Sequence, residues 1–248
     1  MSEPLEGKVV LITGAARRVG AAIARRLHAA GARVAIHHHR SADAAKALAA
    51  ELNATRPGSV ITLAADLLEL EALPALVEAT LASFGRLDVL VNNASTFYPT
   101  PIGTITPAQW MDLMGTNLRA PLFLSQAAAP ALKASQGLIL NITDIHGVRP
   151  LRNHPVYSAA KAGLIMLTQS LARELAPEVR VNAIAPGPVM FPAQGLPADV
   201  EADILERTLL KRRGAPEDIA EAALFFAAHA AYVTGQMLNV DGGRSVRG

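Results

Sequence analysis

Three side chains at definite spacings suggest the chemistry of this chain. Tyr157 and Lys161 are four residues apart, so on a helix they share one face. A free tyrosine has a pKa of about 10 and holds its proton near neutral pH. An ammonium beside the phenol would stabilise the phenolate, lower that pKa and ease proton transfer. Asp144 lies thirteen residues before Tyr157, just after the apolar run 138–142, where a substrate atom could meet it. Phenol, ammonium and carboxyl group together make a proton-delivery unit. A Y-x-x-x-K pair standing alone is ordinary helix surface, so the reading depends on what surrounds it.

The elements that must hold these groups are short apolar runs alternating with helical segments. Runs at 8–12, 33–36, 59–63, 87–91, 138–142, 180–184 and 236–240 read as strands. Helices are expected over 21–27, 42–52, 69–84, 107–132, from Tyr157 to about 176, and over 199–210 and 216–229. Strands that are apolar throughout belong to a parallel sheet covered on both faces. The expected fold is therefore α/β, a doubly wound seven-stranded parallel sheet with helices on both faces. Its ligand site should lie beyond the carboxyl ends of the strands, where the strand order reverses. Gly14, His37, Asp66, Asn92, Asp144 and Gly187 all follow strands at that edge.

Composition narrows the function classes. With 248 residues and 51% hydrophobic content the chain can bury one large core, and no linker-like tract divides it. A formal net charge of +2 with dispersed basic residues argues against nucleic acid as a partner. No apolar run approaches the ~20 residues that span a bilayer. The first residues lack the basic segment and apolar run of a secretory signal, so a cytoplasmic location with no membrane partner is expected. The absence of cysteine excludes disulfides, thiolate chemistry and Cys-ligated metal.

Between the first strand and first helix, Gly14 permits a tight turn and Gly20 lets the helix approach the sheet. Exposed amides at such a helix start can hold a pyrophosphate. The second strand ends in Ile36-His37-His38-His39-Arg40-Ser41, with no acid to accept from a ribose 2′-hydroxyl. Arg40 can pair with a 2′-phosphate, helped by His39, Ser41 and Arg17, which favours NADPH over NADH. Consecutive histidines on a strand end point to opposite faces, so no metal site is expected there.

In this order the motifs resemble the short-chain dehydrogenase/reductase family over essentially the whole chain. They are Thr13-Gly14 to Gly20, Asp66, Asn92-Asn93-Ala94, Asn117, Tyr157 to Lys161, Pro186-Gly187 and Asp241-Gly242-Gly243. The resemblance implies a single Rossmann-like domain over 1–248, hydride transfer with a nicotinamide cofactor, and a homotetramer. It implies Tyr157 as proton donor, Lys161 as ribose binder and tyrosine activator, and Asn117 as holder of a water in a proton relay. Cofactor contacts are implied at Val19, Asn93 and Ala94, at Asp66 and Leu67 on the adenine side, and at Pro186, Gly187 and Val189 by the nicotinamide.

Three positions depart from most of that family: Asp144 stands for Ser, and Arg18 and Ser95 stand for Gly. These departures, with His39-Arg40-Ser41 and Ser95-Thr96-Phe97-Tyr98-Pro99, resemble the pteridine reductase branch. That branch implies a pterin or folate substrate, with Arg18 touching cofactor phosphate and substrate and Ser95 bonding the pterin. Phe97 would stack on the ring opposite the nicotinamide, and Asp144 would work with Tyr157 in proton delivery. The alternatives are a carbonyl reductase such as a 3-oxoacyl-carrier-protein reductase, and a dinucleotide-sensing protein without turnover. A substrate loop is expected at about 187–212, its stretch 189–196 acting as a lid. Trp110 is expected to be buried in a helix, His146 and His154 to be loop residues rather than catalysts, and Arg247 to reach a neighbouring subunit's site.

Overall fold

The computed structural model describes residues 3–189 and 198–246. Seven strands, β1 (Val9–Ile12), β2 (Arg33–His38), β3 (Val60–Ala64), β4 (Val89–Asn92), β5 (Leu138–Ile142), β6 (Arg180–Pro186) and β7 (Met237–Val240), form one sheet. Every pairing is parallel and the order is β3-β2-β1-β4-β5-β6-β7. The chain runs outward from β1 to β3, then returns to place β4 on the other side of β1. That reversal opens a crevice at the carboxyl ends of β1 and β4.

Side chains of successive strand residues point to opposite faces, and both faces are buried here. In β1, Val10 and Ile12 join one apolar layer while Val9 and Leu11 join the other. The first layer is covered by α1 (Arg18–Ala29), α2 (Ala42–Thr55) and α8 (Pro216–Leu224); the second by α3 (Leu73–Phe84), α5 (Ala120–Ser135) and α6 (Pro155–Leu175). Each central strand is therefore a continuous apolar run, because neither of its faces meets water.

The expected long helix over 107–132 is two helices in series. α4 (Pro107–Met114) passes through a π turn at Gly115–Arg119 into α5. Thr106 and Gln109 cap α4 reciprocally. Trp110 is not buried as expected but 47% exposed, since α4 buries only Leu113 and the indole lies on its outer face. The remaining helix, α7 (Ala198–Glu206), falls within the expected substrate loop. Of the expected lid stretch 189–196 only Val189 is among the described residues, and Arg247 lies outside them. Among the described residues no helix is long and apolar enough to cross a membrane, and no cluster of His, Asp or Glu could hold a metal ion.

Candidate active site

α6 starts at Pro155, whose fixed φ suits the first helical position. Its first turns project Tyr157 and Lys161 under the carboxyl end of β5, and both are almost fully buried. The Tyr157 hydroxyl donates to Asp144 Oδ2 at 2.8 Å. The second carboxylate oxygen, Oδ1, accepts from the His146 N–H at 2.8 Å, so Asp144 is held from both sides. Lys161 Nζ donates to the Ile142 carbonyl at 2.9 Å and lies 5.6 Å from the centre of the Tyr157 ring. The three groups expected to converge do converge.

Their electrostatics differ from expectation. Burial, followed by the charge and hydrogen bond of Asp144, pushes the Tyr157 pKa up, with Ser95 acting in the opposite direction. The expected lowering by Lys161 does not occur, because the ammonium sits beneath the ring while the carboxylate holds the hydroxyl. Burial lowers Lys161 to about 8, against an upward pull from Asp144. Tyr157 is thus a phenol that holds its proton firmly through neutral pH.

Ser95, in the loop after β4, donates to Asn117 Oδ1 at 2.6 Å. Asn117 Nδ2 is spent on the carbonyls of Thr96 and Leu113, at 3.0 and 2.9 Å. Both hydrogens of that amide nitrogen are thus committed. The π turn aims the fully buried Asn117 side chain at the 95–96 loop and fixes it. Phe97 follows in the same loop. One face of its ring stacks on His154 at 4.7 Å and 9°, and Tyr157 meets it edge-on at 4.8 Å. With 56% of the residue still exposed, the opposite face of Phe97 is open beside Tyr157. His154, expected to be a plain loop residue, is the backing of that plate.

On the dinucleotide side, Thr13 Oγ1 accepts from the N–H groups of Asn93 and Ala94 at 2.9 and 3.0 Å. Asn93 Nδ2 returns bonds to the carbonyls of Thr13 and Gly14 at 2.8 and 3.1 Å. The loops after β1 and β4 are thereby sewn together. They approach so closely that a Cβ on Gly14 would lie 2.9 Å from Ala94 Cα, and one on Gly20 would lie 2.6 Å from Gly14 O. Both glycines are required by contact. No side chain caps the start of α1, no acid stands in its first turn, and Arg17 and Arg18 are exposed there. Free amides and two guanidinium groups fit a pyrophosphate.

His39 and Arg40 are exposed at the end of β2, with Ser41 half-buried and its hydroxyl not engaged in capping α2. His39 Nε2 stands 3.8 Å from Asp66 Oδ2, and Asp66 Oδ1 accepts from Leu68 N–H at 3.0 Å. The side chains of Val19, Leu67 and Val189 are buried, which leaves only their main chains for a cofactor. Pro186 ends β6, and Gly187 sits where a Cβ would be 2.6 Å from Asp241 Cα.

A family model described as enoyl-(acyl carrier protein) reductase matches residues 14–245. The chain belongs to the short-chain dehydrogenase/reductase family. Members of that family are oxidoreductases that use nicotinamide cofactors, which the glycine loop just described fits. Pteridine reductase 1 of Leishmania tarentolae is 37% identical, covering 96% of each chain. The 3-oxoacyl-[acyl-carrier-protein] reductase of Synechocystis sp. is 38% identical over 96% of this chain and 97% of its own. The corresponding reductase of Escherichia coli is 37% identical over 96% and 97%. Identity therefore does not choose between a pterin and an acyl-carrier substrate.

Three features of this oxidoreductase were not read from the sequence. The buried ladder Asn92–Asn141–Thr168, with bonds of 2.8 and 2.9 Å, ties β4 and β5 to α6 beneath the site. His154 backs Phe97. Arg18 adopts φ +52°, a left-handed conformation that costs a side-chain-bearing residue about 1–2 kcal/mol. The substitution of Arg for the family's Gly pointed to this position, but not to its strain. An Arg18→Gly variant should unfold in urea with stability unchanged or higher by up to about 1 kcal/mol. Its KM values for cofactor and substrate should rise several-fold. A less stable variant with unchanged KM values would contradict that account.

Proposed function

We propose that the chain is an NADPH-dependent pterin reductase, converting dihydropterin to tetrahydropterin and also accepting oxidised pterin or folate. The observation that carries this reading is the Tyr157–Asp144 hydrogen bond of 2.8 Å beside the open face of Phe97. A carbonyl oxygen needs only donors around it as negative charge develops. A pterin presents ring nitrogens and an amino group, and a carboxyl group can meet these as acceptor or donor. The flat ring also gains from an aromatic plate, by about 0.5–1.5 kcal/mol beyond burial.

Bound NADPH would supply hydride to the carbon of the ring C=N bond. Tyr157 gives its proton to the adjacent nitrogen, and the half-buried Asp144 carboxylate takes a proton from solvent and passes it to the phenol oxygen. The raised pKa of Tyr157 makes the two transfers cooperate, since a phenolate beside Asp144 is too costly to persist. Lys161 keeps a positive charge below the ring and would hold the ribose of the bound cofactor. Arg40, His39, Ser41 and Arg17 hold the 2′-phosphate, which selects NADPH over NADH. Exposed Leu122 and Phe123 on α5 and Met166 on α6 support self-association through those helices, and the assembly proposed is a homotetramer.

The second reading, a 3-oxoacyl-[acyl-carrier-protein] reductase, is favoured by the Synechocystis and E. coli relatives. NADPH oxidation compared across dihydrobiopterin, dihydrofolate and a β-keto thioester decides between them. The pterin reading expects kcat/KM at least a hundredfold higher for a dihydropterin than for the thioester, and the reverse order would overturn it.

Lys161 loses its ammonium as pH passes about 8. Activity that needs the charge should therefore show an alkaline limb near that pH. Asp144 pulls the Lys161 pKa up, so Asp144→Asn should move the limb of the residual activity to lower pH. A limb that stays in place or moves upward would be inconsistent with a lysine charged in this way.

A further inference from the structure

His37 is buried at the end of β2 and belongs to none of the groups described so far. The Gly14 N–H donates to its Nδ1 at 3.2 Å. A main-chain N–H can only donate, so Nδ1 must be unprotonated and the ring hydrogen must sit on Nε2. Nε2 lies 3.1 Å from the Ala65 carbonyl, which can only accept. Both ring nitrogens are thus spent, and in complementary senses. The main chain of the same residue takes a further bond, from Ala15 N–H to the His37 carbonyl at 2.9 Å.

We propose that His37 is a positioning residue for the dinucleotide: its imidazole, as the Nε2–H tautomer, braces the phosphate loop at Gly14 against the adenine side at Ala65. The ring touches no exposed surface and so acts through the two loops it joins. Gly14 opens the turn expected to cradle the pyrophosphate, and Ala65 precedes Asp66. One ring therefore sets the distance between the two ends of the cofactor's adenylate half.

The groups acting on the ring are His38 on its own strand, His39 just past that strand's end and Asp66 beyond β3. Burial, opposed by the Ala65 carbonyl, holds the pKa down to about 4. The ring is then neutral at physiological pH, as the brace requires. In the unfolded chain it binds a proton below about 6.5, so the stability it contributes is lost as pH falls from 6.5 toward 4. Protonation would turn Nδ1 into a donor facing the Gly14 N–H.

The inference rests on the family's use of a nicotinamide dinucleotide and not on the pterin reading. Its test is calorimetric binding of NADP⁺, which survives mild acid, together with ¹⁵N NMR of the imidazole. Wild type should show an Nε2–H ring at pH 7. His37→Gln keeps a donor toward Ala65 but offers Gly14 no acceptor in place, and should weaken NADP⁺ binding at least tenfold. His37→Asn keeps the Gly14 acceptor, cannot reach Ala65, and should weaken binding three- to tenfold. In both, kcat at saturating cofactor should stay within threefold of wild type. If His37→Gln does not fold, His37→Asn decides alone. A merely structural residue would lower the melting temperature of the variants while leaving their NADP⁺ affinity within twofold of wild type, and that result would overturn the proposal. An Nδ1–H or charged ring at pH 7 would overturn it too. Wild type that bound neither NADP⁺ nor NAD⁺ would sink the dinucleotide reading along with the brace.

Discussion

A buried ammonium constrains the rest of this site. Lys161 is 2% exposed, and an isolated charge in that position would cost several kcal/mol of lost hydration. One carbonyl, that of Ile142, accepts from it directly, and the nearby Asp144 carboxylate supplies the opposing charge. Asp144 in turn is tied to Tyr157 and to the His146 amide. Cation, phenol and carboxylate therefore form one electrostatic unit, and changing any member alters the protonation of the other two.

The parallel sheet makes that unit possible by ending several strands at one edge. β4 and β5 are registered so that Asn92 pairs with Asn141, and their amides continue the polar ladder down to Thr168 of α6. A buried polar chain of this kind contributes only when every member is satisfied, so it fixes the height of α6 and hence of Tyr157 and Lys161. On the other side of β4, the Thr13–Asn93 bonds fix the glycine loop. The catalytic groups and the expected cofactor loop are thus referred to the same central strands.

Much of this was legible in the sequence, for a physical reason. Buried parallel strands must be apolar on both faces, so the central strands stood out as apolar runs, and the half-exposed edge strands β3 and β7 followed the same spacing. The i, i+4 spacing of Tyr157 and Lys161, and the glycines that only close contact explains, are local signals as well. What was not legible depends on partners distant in the chain. Helical spacing places Lys161 on the face of Tyr157 but does not say whether it reaches the hydroxyl or lies under the ring. The run of three histidines concealed a residue whose two nitrogens are each committed, because both partners come from loops that follow other strands. Trp110 looked like core by residue type, yet α4 buries Leu113 alone, against Val156 and Tyr157 of α6. Phe97 was read as a plate, while its backing by His154, fifty-seven residues away, had no signal in the pattern.

The central claim is that the carboxylate at position 144, rather than the family framework, turns this reductase toward a ring C=N bond. The most direct measurement is the ratio of kcat/KM for a dihydropterin to that for a β-keto thioester, in wild type and in Asp144→Ser. The account predicts that the ratio falls at least a hundredfold, with thioester turnover kept or raised because the serine hydroxyl still donates to a carbonyl oxygen. A ratio that survives the substitution unchanged would contradict it.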